Sequence, residues 1–117
     1  MNSLNSVLIE GEIIGEGATG QTEAGNLYFK ASIQNHRYCT VNGERVKEDM
    51  TVQFFCYGRL AEACRDNLSP GRGVRIVGRL SYLNQIQVGV LAEHVEFKPV
   101  FQKSDEDKEV AEVDDGR

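Results

Sequence analysis

Five short runs of apolar or alternating residues constrain most strongly what this chain can fold into. The runs cover residues 7–14, 27–35, 50–57, 74–82 and 87–97, and they are rich in Val, Ile, Phe and Tyr. Segments rich in Gly, Asn and Pro separate them, and Asn42-Gly43 is a strong signal for a two-residue hairpin turn. The pattern is typical of an all-β fold, and 117 residues suit one domain.

One segment between the third and fourth runs has a helical pattern. In RLAEACRDNL, Leu60, Ala63, Cys64 and Asn67 recur at helical spacing, and a Ser-Pro-Gly sequence that cannot continue a helix follows. Three strands, a helix and two strands is the order of an OB-fold, a barrel whose helix covers one end. We therefore predict an all-β, five-stranded OB-fold barrel over residues 1–103, with one short helix between strands three and four.

The net charge of -5 is unevenly distributed along the chain. Residues 1–103 hold 11 Lys and Arg against 11 Asp and Glu, whereas residues 104–117 hold 2 against 7. The final segment, SDEDKEVAEVDDGR, has no aromatic residue and too few apolar ones to offset the entropy of ordering. We therefore predict a neutral domain followed by a disordered acidic tail over residues 104–117.

The glycine and histidine motifs do not indicate an enzyme. Gly15, Gly17 and Gly20 match the spacing GxGxxG, but they lead into another strand rather than the helix that a dinucleotide site requires. We expect a flexible hairpin loop there. His36 and His94 are the only imidazoles, and no nucleophile elbow or carboxylate pair accompanies them. The sequence predicts a protein without enzymatic activity and without a cofactor.

The cysteines and the N-terminal sequence indicate the cellular compartment of the protein. Cys39, Cys56 and Cys64 show no CxxC spacing, and no histidine lies at zinc-finger distance from them. Cys56 and Cys64 fall on apolar faces and are expected in the core, whereas Cys39 is expected in a loop. Reduced thiols without a metal fit the cytosol. No early Lys or Arg precedes a long apolar segment, so we expect no secretory signal and a cytoplasmic location.

The third strand places aromatic side chains on the face that points away from the core. Side chains alternate along a strand, so Phe54 is expected in the core, whereas Gln53, Phe55 and Tyr57 share the outer face. Basic and aromatic residues nearby are Tyr28 and Lys30 on strand two, Arg37 and Tyr38 just after it, Arg59 after strand three, and Arg75 and Arg79 on strand four. Single-stranded nucleic acid binds such surfaces through cations at its phosphates and rings on its bases. The alternative is an aromatic pair buried in a subunit interface or against a second sheet.

The sequence resembles the bacterial single-stranded DNA-binding protein family from Met1 to about Pro99. The segments that carry the resemblance are NSVLIEG at residues 5–11, FFCYGRLAE at 54–62, GRGVRIVGRL at 71–80 and AEHVEF at 92–97. The resemblance implies an OB-fold that assembles into oligomers, usually homotetramers. It also implies binding of single-stranded DNA without strong sequence preference in replication, recombination and repair, in the cytoplasm on the nucleoid, with no cofactor.

The family's DNA-contact residues carry over only in part. Tyr57 occupies the place of a stacking aromatic residue, and Arg59 that of a basic one. Family tryptophans fall at Thr51 and Arg37, and a third, in the hairpin after strand four, has only Tyr82 nearby. Fewer rings predict weaker binding per nucleotide and more reliance on arginine. The predicted DNA-binding residues are Lys30, Arg37, Tyr38, Gln53, Phe55, Tyr57, Arg59, Arg75, Arg79 and Tyr82.

The acidic tail differs from that of the family at its tip. The family's tail closes with Pro and Phe and recruits replication and repair enzymes, whereas this sequence closes with VDDGR. A tail of this charge is also suited to compete with DNA for a basic groove. The missing tryptophans leave a second hypothesis open, an OB-fold adaptor or assembly subunit that binds protein partners and has little affinity for DNA.

Overall fold

The computed structural model describes residues 1–99, which form a closed five-stranded barrel with one helix. The elements are β1 (Val7–Gln21), β2 (Leu27–Val41), β3 (Glu44–Tyr57), α1 (Gly58–Asn67), β4 (Gly73–Tyr82) and β5 (Val88–Phe97). Around the barrel the strands follow the order β1-β2-β3-β5-β4, and the β3–β5 pair is parallel whereas the others are antiparallel. The predicted order of three strands, a helix and two strands is confirmed.

The first strand is longer than the sequence predicts. β1 continues to Gln21 through the glycine-rich segment that we expected to form a flexible loop, and it stays paired with β2 there. The register shifts between Ile14 and Ala18, and Gly15 has a φ of 71°. Such an irregularity bends a strand without ending its pairing. The prediction of a loop is therefore wrong, because the glycines allow a bent strand instead.

The second and third strands form one long hairpin that extends well beyond residues 35 and 50. Their pairing runs without a register shift to the turn, where Asn42 and Gly43 have φ values of 52° and 83°. Two positive φ values are those of a type I′ turn, so the predicted turn is confirmed. Arg37, Tyr38 and Cys39 were expected after strand two, but they lie within it. This part of the hairpin is polar and exposed, so its strands carry no apolar pattern from which they could be predicted.

The core lies inside the barrel and under the helix. The largest fully buried side chains are Phe54, Ile13, Ile33, Ile76, Val74, Val90, Cys56 and Cys64. Phe54 is enclosed while its neighbours point outwards, so the predicted alternation along β3 is confirmed. α1 packs Ala61 and Cys64 against the barrel. Ala63 and Asn67, which the spacing also suggested, lie nearer to solvent, because in so short a helix only one narrow face, that of Ala61 and Cys64, reaches the barrel.

Two thiols meet within this core. Sγ of Cys56 donates a hydrogen bond to Sγ of Cys64, 3.9 Å away, and both side chains are buried. This contact and burial raise the pKa of Cys56, which therefore remains a neutral thiol. The prediction that both are core residues is confirmed. Cys39 is half-buried within β2 rather than lying in a loop.

Two further observations apply to residues 1–99 only. No helix among them is long and apolar enough to cross a membrane. Nor do these residues bring together three or more His, Cys, Asp or Glu side chains as metal ligands. The predicted domain boundary at residue 103 and the predicted acidic tail at 104–117 lie outside the described residues.

Removing the largest buried side chain tests this assignment of the core. We expect Phe54→Ala to lower the free energy of unfolding by about 3–5 kcal/mol, because it removes apolar contacts and leaves a cavity. Urea denaturation followed by circular dichroism measures the change. Val41→Ala at the exposed hairpin end is the control, with an expected change within about 0.5 kcal/mol. Equal losses in the two variants would contradict the assignment.

Candidate nucleic-acid interface

A shallow recess lies on the outer face of β2 and β3, with a volume of about 160 Å³. We call it the aromatic recess, and its lining residues are Thr22, Tyr28, Lys30, Phe55, Tyr57 and Leu83. It combines three aromatic rings with one lysine. This composition suits a nucleic acid, since flat rings accept bases and an ammonium group attracts phosphate.

Strand register brings the rings of the recess together. Tyr28 pairs with Tyr57 and Lys30 pairs with Phe55 across β2 and β3. The two pairs are two residues apart on each strand, so all four side chains share one face. The rings of Phe55 and Tyr57 meet edge to face, with centroids 5.9 Å apart and an angle of 83° between planes. The predicted outward direction of both rings is therefore confirmed.

The two rings of β3 differ in their access to solvent. Tyr57 is 48% exposed, whereas Phe55 is only 7% exposed even though it lies outside the main core cluster. A base stacks on a ring only where a face of the ring is accessible. Phe55, predicted as a DNA-binding residue on the outer face, therefore supports the edge of Tyr57 rather than offering a surface of its own.

The junction between β3 and α1 positions a cation beside Tyr57. Gly58 has a φ of 68°, a conformation that favours glycine, and it turns the chain directly from strand to helix. Arg59 follows in the first turn of α1 and is exposed. That turn carries no acidic residue, and Tyr57 caps it without a side-chain hydrogen bond. The amides at the helix start and Arg59 thus give the surface beside Tyr57 a positive potential.

Ion pairing distinguishes the cations of β4 from those near the recess. Arg75 is bound by Glu10 of β1 and also lies 3.4 Å from Glu96 of β5. Arg79 lies 3.5 Å from Glu93. Among the salt bridges formed within residues 1–99, none involves Lys30, Arg37, Arg45 or Arg59. Of the five Lys and Arg on β2, β3 and the start of α1, only Lys47 therefore has a carboxylate partner within residues 1–99, namely Asp49. Arg72, between α1 and β4, also lacks one in this range, but its guanidinium donates to the backbone oxygens of Lys98 and Asn67.

The two arginines of β4 also differ in their distance from the recess around the barrel. β4 borders β1 and β5 but not β3. Arg79 pairs with Leu91 of β5, and Leu91 pairs with Phe55, so Arg79 lies in the same cross-strand row as the recess. Arg75 pairs with Glu10 and Glu96 in register, farther along β4. Arg79 is thus in line with the recess but separated from it by β5, and neither arginine lines it.

The extended hairpin separates Arg37 from Tyr38. By alternation along β2, Tyr38 shares the face of Lys30. Its side chain is 56% exposed, and Cζ of Arg45 lies 4.5 Å from the centroid of its ring. Arg37 points to the opposite face, in register with Glu48. Of the two neighbours, Tyr38 therefore continues the surface of the aromatic recess and Arg37 does not.

Gln53 and Tyr82 line two neighbouring recesses that share Val88. Gln53 pairs with Ser32, the next outward pair after Lys30 and Phe55, and both line a polar recess of about 480 Å³. Tyr82 is 75% exposed at the end of β4 and lies outside the aromatic recess. Its neighbour Leu83 lines the recess instead. No sequence pattern pointed to Leu83, whereas the alternation on β2 pointed to Tyr28.

The barrel order, the helix between β3 and β4 and the basic, aromatic outer face of β2 and β3 define an OB-fold protein. Residues 4–98 match the model of the single-strand binding protein family, and the chain belongs to that family. The class of protein that the sequence predicts is thus confirmed. No curated protein sequence matches the chain.

Solved structures share the fold at low sequence identity. The single-stranded DNA-binding protein from Thermus aquaticus has a TM-score of 0.72 and 21% identity, over 82% of this chain and 50% of that chain. An SSB complex with ssDNA from Plasmodium falciparum has a TM-score of 0.75 and 14% identity, over 85% and 98%. The protein PriB from Ralstonia solanacearum has a TM-score of 0.69 and 14% identity, over 81% of this chain and 98% of that chain. This chain spans about half the length of the Thermus protein.

The ion-paired side of the barrel gives a prediction about pH. Hydrogen bonds from Lys98 and then from Arg75 hold the pKa of Glu10 below its ordinary value of 4.5. Because the pKa of Glu10 is lower in the folded than in the unfolded state, the ionised carboxylate stabilises the fold above about pH 4.5. This stabilisation is lost as the pH falls through the pKa of the folded state. We expect Glu10→Gln to reduce the urea midpoint slightly at pH 7 and by progressively less as the pH falls below 4.5. A difference between the two proteins that does not shrink over this range would contradict the assignment.

Proposed function

We propose that this chain binds single-stranded DNA with little sequence preference and without enzymatic activity. The observation that carries the proposal is the aromatic recess, where the exposed ring of Tyr57 borders the same space as Lys30. Arg59 follows Tyr57 by two residues, in the first turn of α1. Rings stack on any unpaired base, and cations follow the phosphates whatever the sequence. Membership in the single-strand binding protein family supports the same function.

The distribution of charge explains how a neutral domain attracts a polyanion. The cations on the β4 side are largely neutralised by Glu10, Glu93 and Glu96. On the outer face of β2 and β3, Lys47 lies 3.9 Å from Asp49, whereas Lys30 and Arg45 have no carboxylate partner among the described residues. Local rather than net charge sets the potential that a phosphate meets at contact distance. A single strand is therefore favoured along β2 and β3.

Along this face, we assign the bound strand a path from the recess towards the hairpin end. Beyond the aromatic recess lies the polar recess with Gln53, whose amide donates and accepts hydrogen bonds. Farther along the same face, Tyr38 and Arg45 form a second combination of ring and cation. The proposed contact residues are Lys30, Tyr38, Gln53, Tyr57 and Arg59, with Phe55 in support, and Arg79 is left out because it is paired with Glu93.

We further assign the chain to a homo-oligomer, a homotetramer in the usual form of the family, acting on the nucleoid in replication, recombination and repair. Exposed apolar side chains outside the aromatic recess support association, because several of them lie close together at the ends of β4 and β5. Leu80, Tyr82 and Val88 line a common shallow surface there. The same surface favours the second candidate function, an adaptor that binds protein partners.

Binding to labelled oligonucleotides distinguishes the two functions. We expect fluorescence anisotropy to detect tighter binding to a single-stranded oligonucleotide than to the same sequence as a duplex. Affinity should fall as salt rises, with a slope of about -0.7 for each phosphate contacted in a plot of log K against log salt. No binding at low salt would exclude the proposed function and leave the adaptor.

Substitution of the exposed ring tests the site. We expect Tyr57→Ala to weaken binding about 5- to 150-fold, corresponding to about 1–3 kcal/mol for one stacked base, with little change in the salt slope. Tyr82→Ala removes a ring outside the recess and should weaken binding less. Equal effects of the two variants would show that exposure alone, rather than the recess, determines binding.

Removal of one cation has a different signature. Lys30→Ala should reduce the magnitude of the salt slope by about 0.7, since one phosphate contact is lost. Lys98→Ala is the matched control, because Lys98 is paired with Glu10 on the other side of the barrel. An unchanged slope for Lys30→Ala, measured in the same salt series, would remove Lys30 from the site.

A further inference from the structure

Gly20 on β1 lies directly opposite Tyr28 on β2. A methyl group at position 20 would lie 2.9 Å from both Cε2 and Oη of Tyr28, and 3.0 Å from Cζ. These distances are shorter than carbon atoms of side chains accept. The phenol end of Tyr28 therefore lies across the β1 backbone in space that only glycine leaves free.

This position of the ring keeps the aromatic recess open. Tyr28 has β1 on one side and Tyr57 of β3 on the other. Because its phenol end extends over Gly20, it does not occupy the space beside Tyr57. Both rings consequently border the same recess, with Lys30 next to them. Two rings bordering one recess offer two surfaces to a base.

A second glycine of β1 provides a comparison. A methyl group at Gly17 would lie 2.5 Å from Cζ of Phe29, and Phe29 is a core residue with 3% exposure. Gly17 and Gly20 thus accommodate neighbouring rings of β2 that point to opposite faces. The ring at Gly17 packs inside the barrel, whereas the ring at Gly20 faces the recess. Core packing of Phe29 is sufficient reason for a glycine at position 17. At position 20 the ring is not part of the core, so core packing does not explain the glycine there.

We infer that Tyr28 is a second base-stacking residue and that Gly20 is the residue that positions it. This inference rests on the proposed function and deepens it, since it assigns the glycine-rich part of β1 to the same site. Gly20 does not touch the ligand. A side chain at position 20 would push the phenol ring towards Tyr57 and close the recess to a base.

A double-mutant cycle tests this assignment on the full chain with a labelled oligothymidine. We expect Tyr28→Leu to weaken binding about 5- to 150-fold and Gly20→Ala to weaken it several-fold, both with an unchanged salt slope. The double variant should bind no more weakly than Tyr28→Leu alone, because Gly20 acts only through Tyr28. Additive losses, or wild-type affinity of Gly20→Ala, would overturn the role of Gly20.

Two controls separate binding from folding. Gly73→Ala introduces the same methyl group on β4, where it would meet only the flexible side chain of Lys98 at 3.1 Å, and it should leave affinity unchanged. Gly17→Ala should lower the thermal midpoint, because it displaces Phe29. If Gly20→Ala fails to fold, Tyr28→Leu against Tyr28→Phe still decides the assignment of Tyr28: stacking requires that only the leucine variant loses affinity.

A spectroscopic measurement adds a direct readout. The chain has no Trp and four Tyr, so intrinsic fluorescence reports on tyrosine rings. We expect the quenching caused by oligothymidine to decrease in Tyr28→Phe even though affinity is retained. Wild-type protein that does not bind refutes the proposed function as a whole. Wild-type binding together with unchanged quenching and affinity in both Tyr28 variants refutes this inference alone.

Discussion

Closure of the barrel depends on β1, which changes its partner along its length. Residues 7–12 pair with β4, and residues 12–21 pair with β2, with a register shift between Ile14 and Ala18. A strand shared in this way must bend, and glycine allows both the bend and close approach by neighbouring rings. Gly17, within the shifted segment, and Gly20, beyond it, lie next to the two consecutive aromatic residues of β2. The same glycine-rich strand thus shapes both the core and the outer face.

The second organising feature is the neutralisation of one side of the barrel by its own carboxylates. Glu10 accepts hydrogen bonds from Arg75 and Lys98, and it therefore joins β1 to β4 and to the residues after β5. Exposed pairs of this kind contribute little to stability. Their effect on recognition is larger, because they reduce the positive potential of that side. A polyanion then meets available cations mainly on β2, β3 and the start of α1.

Much of the fold could be predicted from the sequence, but the site only in part. Alternation along β3 identified the inward and outward rings, because its core face is apolar and Phe54 is enclosed. The hairpin extension escaped prediction, since its exposed strands carry no apolar stripe. The pairing of Arg75 with Glu10 joins residues 65 positions apart, and no local pattern encodes it. Leu83 lines the recess because of the path of the turn between β4 and β5, and that path depends on how the whole barrel is assembled.

The small number of rings and available cations links affinity to assembly. Each chain presents Tyr28 and Tyr57 in one recess and Tyr38 farther along the hairpin, without any tryptophan. Phenol rings offer less stacking area than indole, so a single chain gains limited free energy from each base. A strand that crosses several subunits meets each further site at a high effective concentration, and the affinities combine. Modest individual sites therefore suffice in an oligomer, and this is the physical reason to expect binding and assembly to be coupled.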